Sequence, residues 1–516
     1  MAGIAWCLCA NAAEAMPSGE DGKRVAEANA AIHDLEIERA SAALNGLVER
    51  HPEDADVLDA AAMVEFHRGN YPLALTRIRA ANRADTSPVT RSHRADLIQL
   101  FENTVLATER LVEFQSDDGR YRVKVSAGRD EVLVPYALEA LARADEEVSA
   151  VLGYRHPGPI RLEVYDSPAV LAQVSTLSEE EIERTGTIAL CKWDRLMITS
   201  PRALVRGYPW MDTIGHEFVH LNLARATRDH APVWLQEGVA KYLEVRWRRV
   251  KALRLDPAAE ALLHDGITND KLIPFDRLHP SIARLPSQED AALAFAQVAT
   301  FIAHLVETHG EGALRTVVHE VHDGRDARDA IARATDSSWP EAEGAWKKAI
   351  AKRPVPTAAA PRHIALRFKR GEGVVDETTD VAEAKARKHM RLGDLLWGHG
   401  RAKGASAEYS RAQKAAPDDP IIASRLARAT LEAGDGADKA VAALLPLRDR
   451  YPQHAPLRAL LGAAFLAQGN HVEARHELLE AIWLNPFDPA PHCGLASVAA
   501  TDLEKTRESA DCASLR

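Results

Sequence analysis

Along most of the chain, apolar residues recur every three or four positions, the period of helices with one buried face. Between about 25 and 112 the pattern also repeats. Ala40, Leu44 and Pro52 return 34 positions later as Ala74, Ile78 and Thr86, with Gly69-Asn70-Tyr71 as the turn inside the second helix pair. From 113 the period changes. Arg120 to Val125 alternates as a strand behind an Asp118-Gly119 turn, and a helix over about 135–152 stops at Gly153. Residues 159–165, 186–191 and 195–199 read as three more strands.

Helical periodicity returns near 210. Asp212 or Thr213 can cap the helix start, and Ile214, Phe218 and Leu221 form the apolar stripe. The pattern breaks over Asn222 to Ala231, and a second helix opens near Pro232. An apolar helix spans 289–309 before Gly310, and further helix reaches Lys352. Arg353 to Pro361 is rich in proline and alanine, as linkers are. Beyond it Leu392-Gly393, Ala405, Tyr409, Ala412 and Pro417 are matched by Leu461-Gly462, Ala474, Leu478, Ala481 and Pro486. Ala440, Leu444 and Pro452 keep the phase between them, and the prolines step by 35 and 34. Both repeat regions resemble tetratricopeptide (TPR) arrays, in which small residues allow close helix approach and each pair buries its neighbour's apolar face.

The expected organisation is a leader or signal segment over 1–24, N-terminal TPR-like helices over 25–112 and a catalytic domain over 113–352. A linker over 353–385, C-terminal repeats over 386–500 and a tail over 501–516 complete it. Few aromatics (5%) fit the helical reading. A net charge of −11 argues against a general nucleic-acid or anionic-membrane role, and no apolar run is expected to reach the length of a membrane span. The first 15 residues have a short apolar core and an A-x-A-like end but no basic start: either a truncated signal peptide, with a periplasmic or secreted protein the favoured expectation, or an Ala-rich terminus of a cytoplasmic one. Five cysteines give no framework; Cys493 and Cys512 could pair if the chain is exported, but free thiols are the expectation.

The chemistry concentrates in residues 210–244. His216-Glu217-Phe218-Val219-His220 puts two imidazoles one turn apart on one helix face, where they can grip one Zn2+ while Glu217 activates a water. A second, antiparallel helix can return Glu237 over both histidines, giving a His2Glu set with a fourth position open. HEFVH followed by WLQEGVAKYLE resembles the gluzincin metallopeptidases, and within that clan the bacterial peptidase MA-like metallohydrolases that carry TPRs. The resemblance implies an α+β zincin-type domain, with a small mixed sheet and the HExxH helix, flanked by all-α repeats. It implies one zinc per chain on His216, His220 and Glu237, with Glu217 as general base. It also implies a peptide or protein substrate that adds as a strand along the sheet edge. No G-x-M-E-N-type motif lies between 114 and 210, so endopeptidase action is expected. The rival reading is a TPR scaffold or assembly protein with a vestigial zinc domain, holding a protein partner on its concave face.

Glu244 falls on the face of Glu237 and either orients a ligand histidine or is a solvated helix-end carboxylate. Lys241 stands where thermolysin-like enzymes place a supporting aspartate, so any support for the ligand histidines is expected from elsewhere. The basic run Arg246 to Lys251 fits helix-end cations better than substrate contacts. His264, His279, His304, His309, His319 and His322 are singly unremarkable; the last two are spaced to share a metal but lack a third ligand. In the aminopeptidase branch a downstream tyrosine donates to the oxyanion. Here Phe295 falls at that place and no tyrosine occurs between Tyr242 and Tyr409, so either a histidine such as His279 or His304 donates instead, or the enzyme is slow, or it has lost peptidase activity; weak or substrate-restricted activity is the expectation.

Overall fold

The computed structural model describes residues 19–353, 366–369, 376–434 and 436–516. Most of the expected leader and linker, with Cys7 and Cys9, lies outside them. The chain forms two compact units. The first comprises 1–199, 212–254 and 262–355; the second comprises 200–211, 255–261 and 356–516.

The first unit opens with helices, among them Ala55–His67, Tyr71–Ala84 and Pro88–Thr108. Ala40, Leu44, Ala74 and Ile78 are all buried between them, as the repeat phase requires. A five-stranded mixed sheet follows: β1 (Leu111–Gln115), β2 (Tyr121–Ser126), β3 (Ile160–Tyr165), β4 (Ala189–Lys192) and β5 (Arg195–Thr199). Its order is β1-β2-β3-β5-β4, so among the described residues β4 pairs only with β5 and is an edge strand. Strand β1 is absent from the sequence pattern; only two of its five side chains are even partly buried, so it carries no clean alternation. Helix Val134–Leu152 ends at Gly153, whose φ of 69° suits glycine.

The sheet is tied to the N-terminal helices by a buried polar cluster. Glu163 accepts from Tyr71, Tyr165 and Arg195 at 2.6, 2.7 and 2.7 Å. Burial opposes its ionisation, and Arg195 with the two hydroxyls outweighs burial, holding the carboxyl below its usual range.

Helix Trp210–Ala226 carries both expected histidines. It starts before the expected cap and runs through Asn222. Asp212 is no cap: its carboxylate takes bonds from Trp247 Nε1 (2.9 Å) and Arg248 Nε (2.7 Å). The basic run is therefore structural, since Arg246 is also buried against Glu311 at 3.0 Å. Helix Gln288–His309 is long and apolar enough to cross a membrane by length and composition, contrary to the expectation from the sequence pattern. Two thirds of its apolar window is buried, and Trp346 donates to its Thr300 at 3.1 Å, as befits a core helix.

The second unit stacks four helix pairs from Ala384–Gly398 to Asp502–Leu515, so the expected tail carries a helix. The repeated glycines mark close approach. A Cβ on Gly393 would lie 2.5 Å from the Tyr409 ring, and one on Gly462 would lie 2.7 Å from Leu478. Cys493 and Cys512 are not the free thiols expected: they form a disulfide between the last two helices.

Candidate metal centre

Helix Val233–Leu243 returns antiparallel to the helix bearing the histidines, and glycines set how close its neighbours come. A Cβ on Gly215 would collide with the Glu244 carbonyl oxygen. A Cβ on Gly238 would meet both Ile302 Cγ1 and the Val298 carbonyl oxygen at 2.8 Å. The glycine after Glu237 is thus what lets helix Gln288–His309 pack against the ligand-bearing pair.

Three side-chain atoms converge. His216 Nε2 and His220 Nε2 lie 3.1 Å apart, and Glu237 Oε2 is 3.3 Å from each. Bonds of 2.0–2.2 Å to a tetrahedral zinc give ligand-to-ligand edges of about 3.3–3.5 Å, so the triangle has nearly the required size. Two ring nitrogens and a carboxylate are also the donors zinc accepts. The residues fit the ion.

The electrostatics agree. Burial opposes a charge on His216, yet Glu237 and Glu244 overcome it and push the imidazole up to about 10. Burial likewise opposes ionisation of Glu237, and the two histidines hold its carboxyl far below the usual range. Glu217 differs: it is only 5% exposed, and burial raises its pKa against the pull of both histidines. It is the more basic carboxylate, as a proton acceptor should be.

The supporting side chains are unequal. Glu244 Oε2 sits 3.3 Å from His216 Nδ1, and Lys241 Nζ sits 2.6 Å from Glu244 Oε1. His220 Nδ1 is buried with no hydrogen-bond partner. Phe295 stands edge-on to His216 with ring centroids 6.1 Å apart, so the phenylalanine does border the site. Among the described residues no hydrogen bond or ring contact joins His279 or His304 to the three ligand atoms. His279 is exposed on a loop, and His304 lies nine positions after Phe295, on the opposite face of the same helix. His322 lies close to the last carbonyl of the histidine helix, Ala226 O, at 2.9 Å, and His319 is exposed beside Asp323, so these two do not share a metal.

Sequence reasoning missed the anchor at the far end of that helix. Arg225 grips Asp194, in the β4–β5 turn, at 2.8 and 2.9 Å and reaches Glu38 at 3.2 Å. His156 adds a 3.0 Å contact to the same aspartate. These residues are far apart in sequence and belong to no motif. Cys191, a lone thiol in the sequence, lies on β4, where burial and then the Glu217 charge push its pKa well up.

Residues 137–352 match the model of the Peptidase MA superfamily. This stretch is thus similar to peptidase MA domains, and TPR-like helical repeats accompany it. Similar solved structures include native leukotriene A4 hydrolase from Saccharomyces cerevisiae, 12% identical, covering 78% of this chain and 67% of that one at a TM-score of 0.32. A thermophilic TPR protein of Thermus thermophilus is 26% identical, covering 25% of this chain and 72% of that one at a TM-score of 0.23. No curated protein matches.

Proposed function

We propose that the central domain is a zinc-dependent peptidase, with the ion held by His216, His220 and Glu237, one per chain. The observation that carries this is the 3.1, 3.3 and 3.3 Å triangle of donor atoms with Glu217 beside it. Bound there, the zinc supplies a Lewis acid and an acidified water. Glu217 takes the proton of the attacking water and delivers it to the leaving amine. The free edge of β4 receives an extended peptide as an added strand, which favours cleavage within chains. Phe295 offers no hydroxyl to the developing oxyanion, so turnover is slow or confined to substrates that bring other stabilisation.

That same phenylalanine favours the second reading, a TPR scaffold whose zinc domain no longer cleaves. The disulfide between Cys493 and Cys512 supports an exported, periplasmic or secreted protein. A protein partner on the concave face of the repeats belongs to either reading. Incubating the protein with casein and a peptide library, with and without a chelator, separates the two. Chelator-sensitive cleavage that Glu217→Gln abolishes supports the peptidase; zinc binding without any cleavage supports the scaffold.

A further inference from the structure

We propose that Lys241 and Glu244 form a two-step brace that positions His216, and that the zinc site depends on this one brace. The inference rests on the zinc reading above and adds two positioning residues to it.

The geometry runs outward from the ligand. His216 turns Nε2 to the shared centre, leaving Nδ1 to face Glu244 Oε2 at 3.3 Å. A carboxylate at Nδ1 keeps the proton there, so Nε2 offers its lone pair, and it fixes the ring's rotation. Glu244 is itself fixed twice. Its other oxygen takes the Lys241 ammonium at 2.6 Å, and its backbone is pressed so close to Gly215 that no side chain would fit there. Lys241 is one turn after Glu237 and Glu244 nearly two, so one helix face carries ligand, clamp and brace in series. The lysine acts on the histidine through the glutamate.

The brace is one-sided. The Nδ1 of His220 is buried and takes no partner, so nothing equivalent fixes that ring's tautomer. Loss of Glu244 therefore leaves neither histidine held from behind.

The test is zinc affinity by competition with a coloured chelator, together with the visible spectrum of the cobalt-loaded protein. Neither readout depends on turnover. Glu244→Ala should weaken zinc by about 10- to 100-fold and shift the cobalt bands. Glu244→Gln, which still accepts from Nδ1–H, should recover most of the loss. Lys241→Met should weaken zinc by a smaller factor, and should have no further effect in the Glu244→Ala background. Wild-type affinity in a folded Glu244→Ala protein overturns the proposal. If that variant fails to fold, Lys241→Met decides: an unchanged affinity and spectrum overturn the brace. A wild-type protein that binds no zinc contradicts the metal reading itself, a different result from any of these.

Discussion

Among the described residues two clusters set a histidine beside two further metal-capable side chains, and their polar atoms are disposed in opposite ways. In His216, His220 and Glu237 the free valences point inward: two Nε2 atoms and a carboxylate oxygen face one another across about the width of an ion. In His492, Glu508 and Asp511 the valences are used up. His492 Nδ1 meets Glu508 at 2.7 Å, its Nε2 meets the Pro486 carbonyl at 2.8 Å, and the ring is fully buried. With both nitrogens bonded, no lone pair remains for a metal. This second cluster, with the Cys493–Cys512 disulfide, fastens the last two helices. Proximity of ligand-type residues is therefore weak evidence. What separates a centre from a staple is whether each nitrogen already has a partner.

The largest effect that sharpens this contrast is on turnover. Glu217→Gln should cut cleavage by about 10²- to 10⁴-fold while zinc content stays at wild type, since it removes a base and no ligand. Paired peptidase assays and metal analysis check it.

The converse substitution is His492→Ala. It removes one buried partner of Glu508, which keeps Arg507 at 2.9 Å, and should cost the C-terminal helices about 1–3 kcal/mol, with zinc unchanged. Denaturant unfolding followed by metal analysis measures both. Reducing the disulfide should act in the same direction by about 3 kcal/mol, judged from its sequence separation of 19 residues.

Phe295→Tyr should raise cleavage by up to about 100-fold without changing zinc content, if the ring edge facing His216 is where the oxyanion forms. No gain, together with lost activity in His279→Ala, would place the donor on that loop instead.

The smallest prediction concerns pH and a third histidine. Burial pushes His67 down to about 4, so it folds neutral. Its contribution is intact above the unfolded value of about 6.5 and is lost as pH falls from there to about 4, up to about 3 kcal/mol in all. His67→Gln should flatten the stability profile of the first unit across that window. An unchanged profile would mean other groups govern acid unfolding.

What could be read from the sequence follows from the range of the interactions. His216, Glu217 and His220 lie within about one turn, so spacing brings them together; Glu237 follows on the next helix, where the resemblance of its WLQEGVAKYLE stretch picks it out. Repeat phase places the buried alanines for the same reason. Asp212 misleads because an aspartate near a helix start is normally a cap; here Trp247 and Arg248, more than thirty positions on, claim its carboxylate. Strand β1 lacks alternation because neither face is fully covered. The Asp194–Arg225–Glu38 clamp joins three distant stretches, and no local pattern announces it. Seven-residue spacing puts Glu244 on the right face, but its approach to His216 depends on Gly215, a packing fact.

The central claim is that one cluster, and only that one, binds zinc. Metal analysis of the purified protein and of Glu237→Ala tests it most directly. The account predicts about one zinc per chain in the wild type and little in the variant, with His492→Ala retaining the full amount. Full zinc in Glu237→Ala, or its loss in a folded His492→Ala protein, would contradict it.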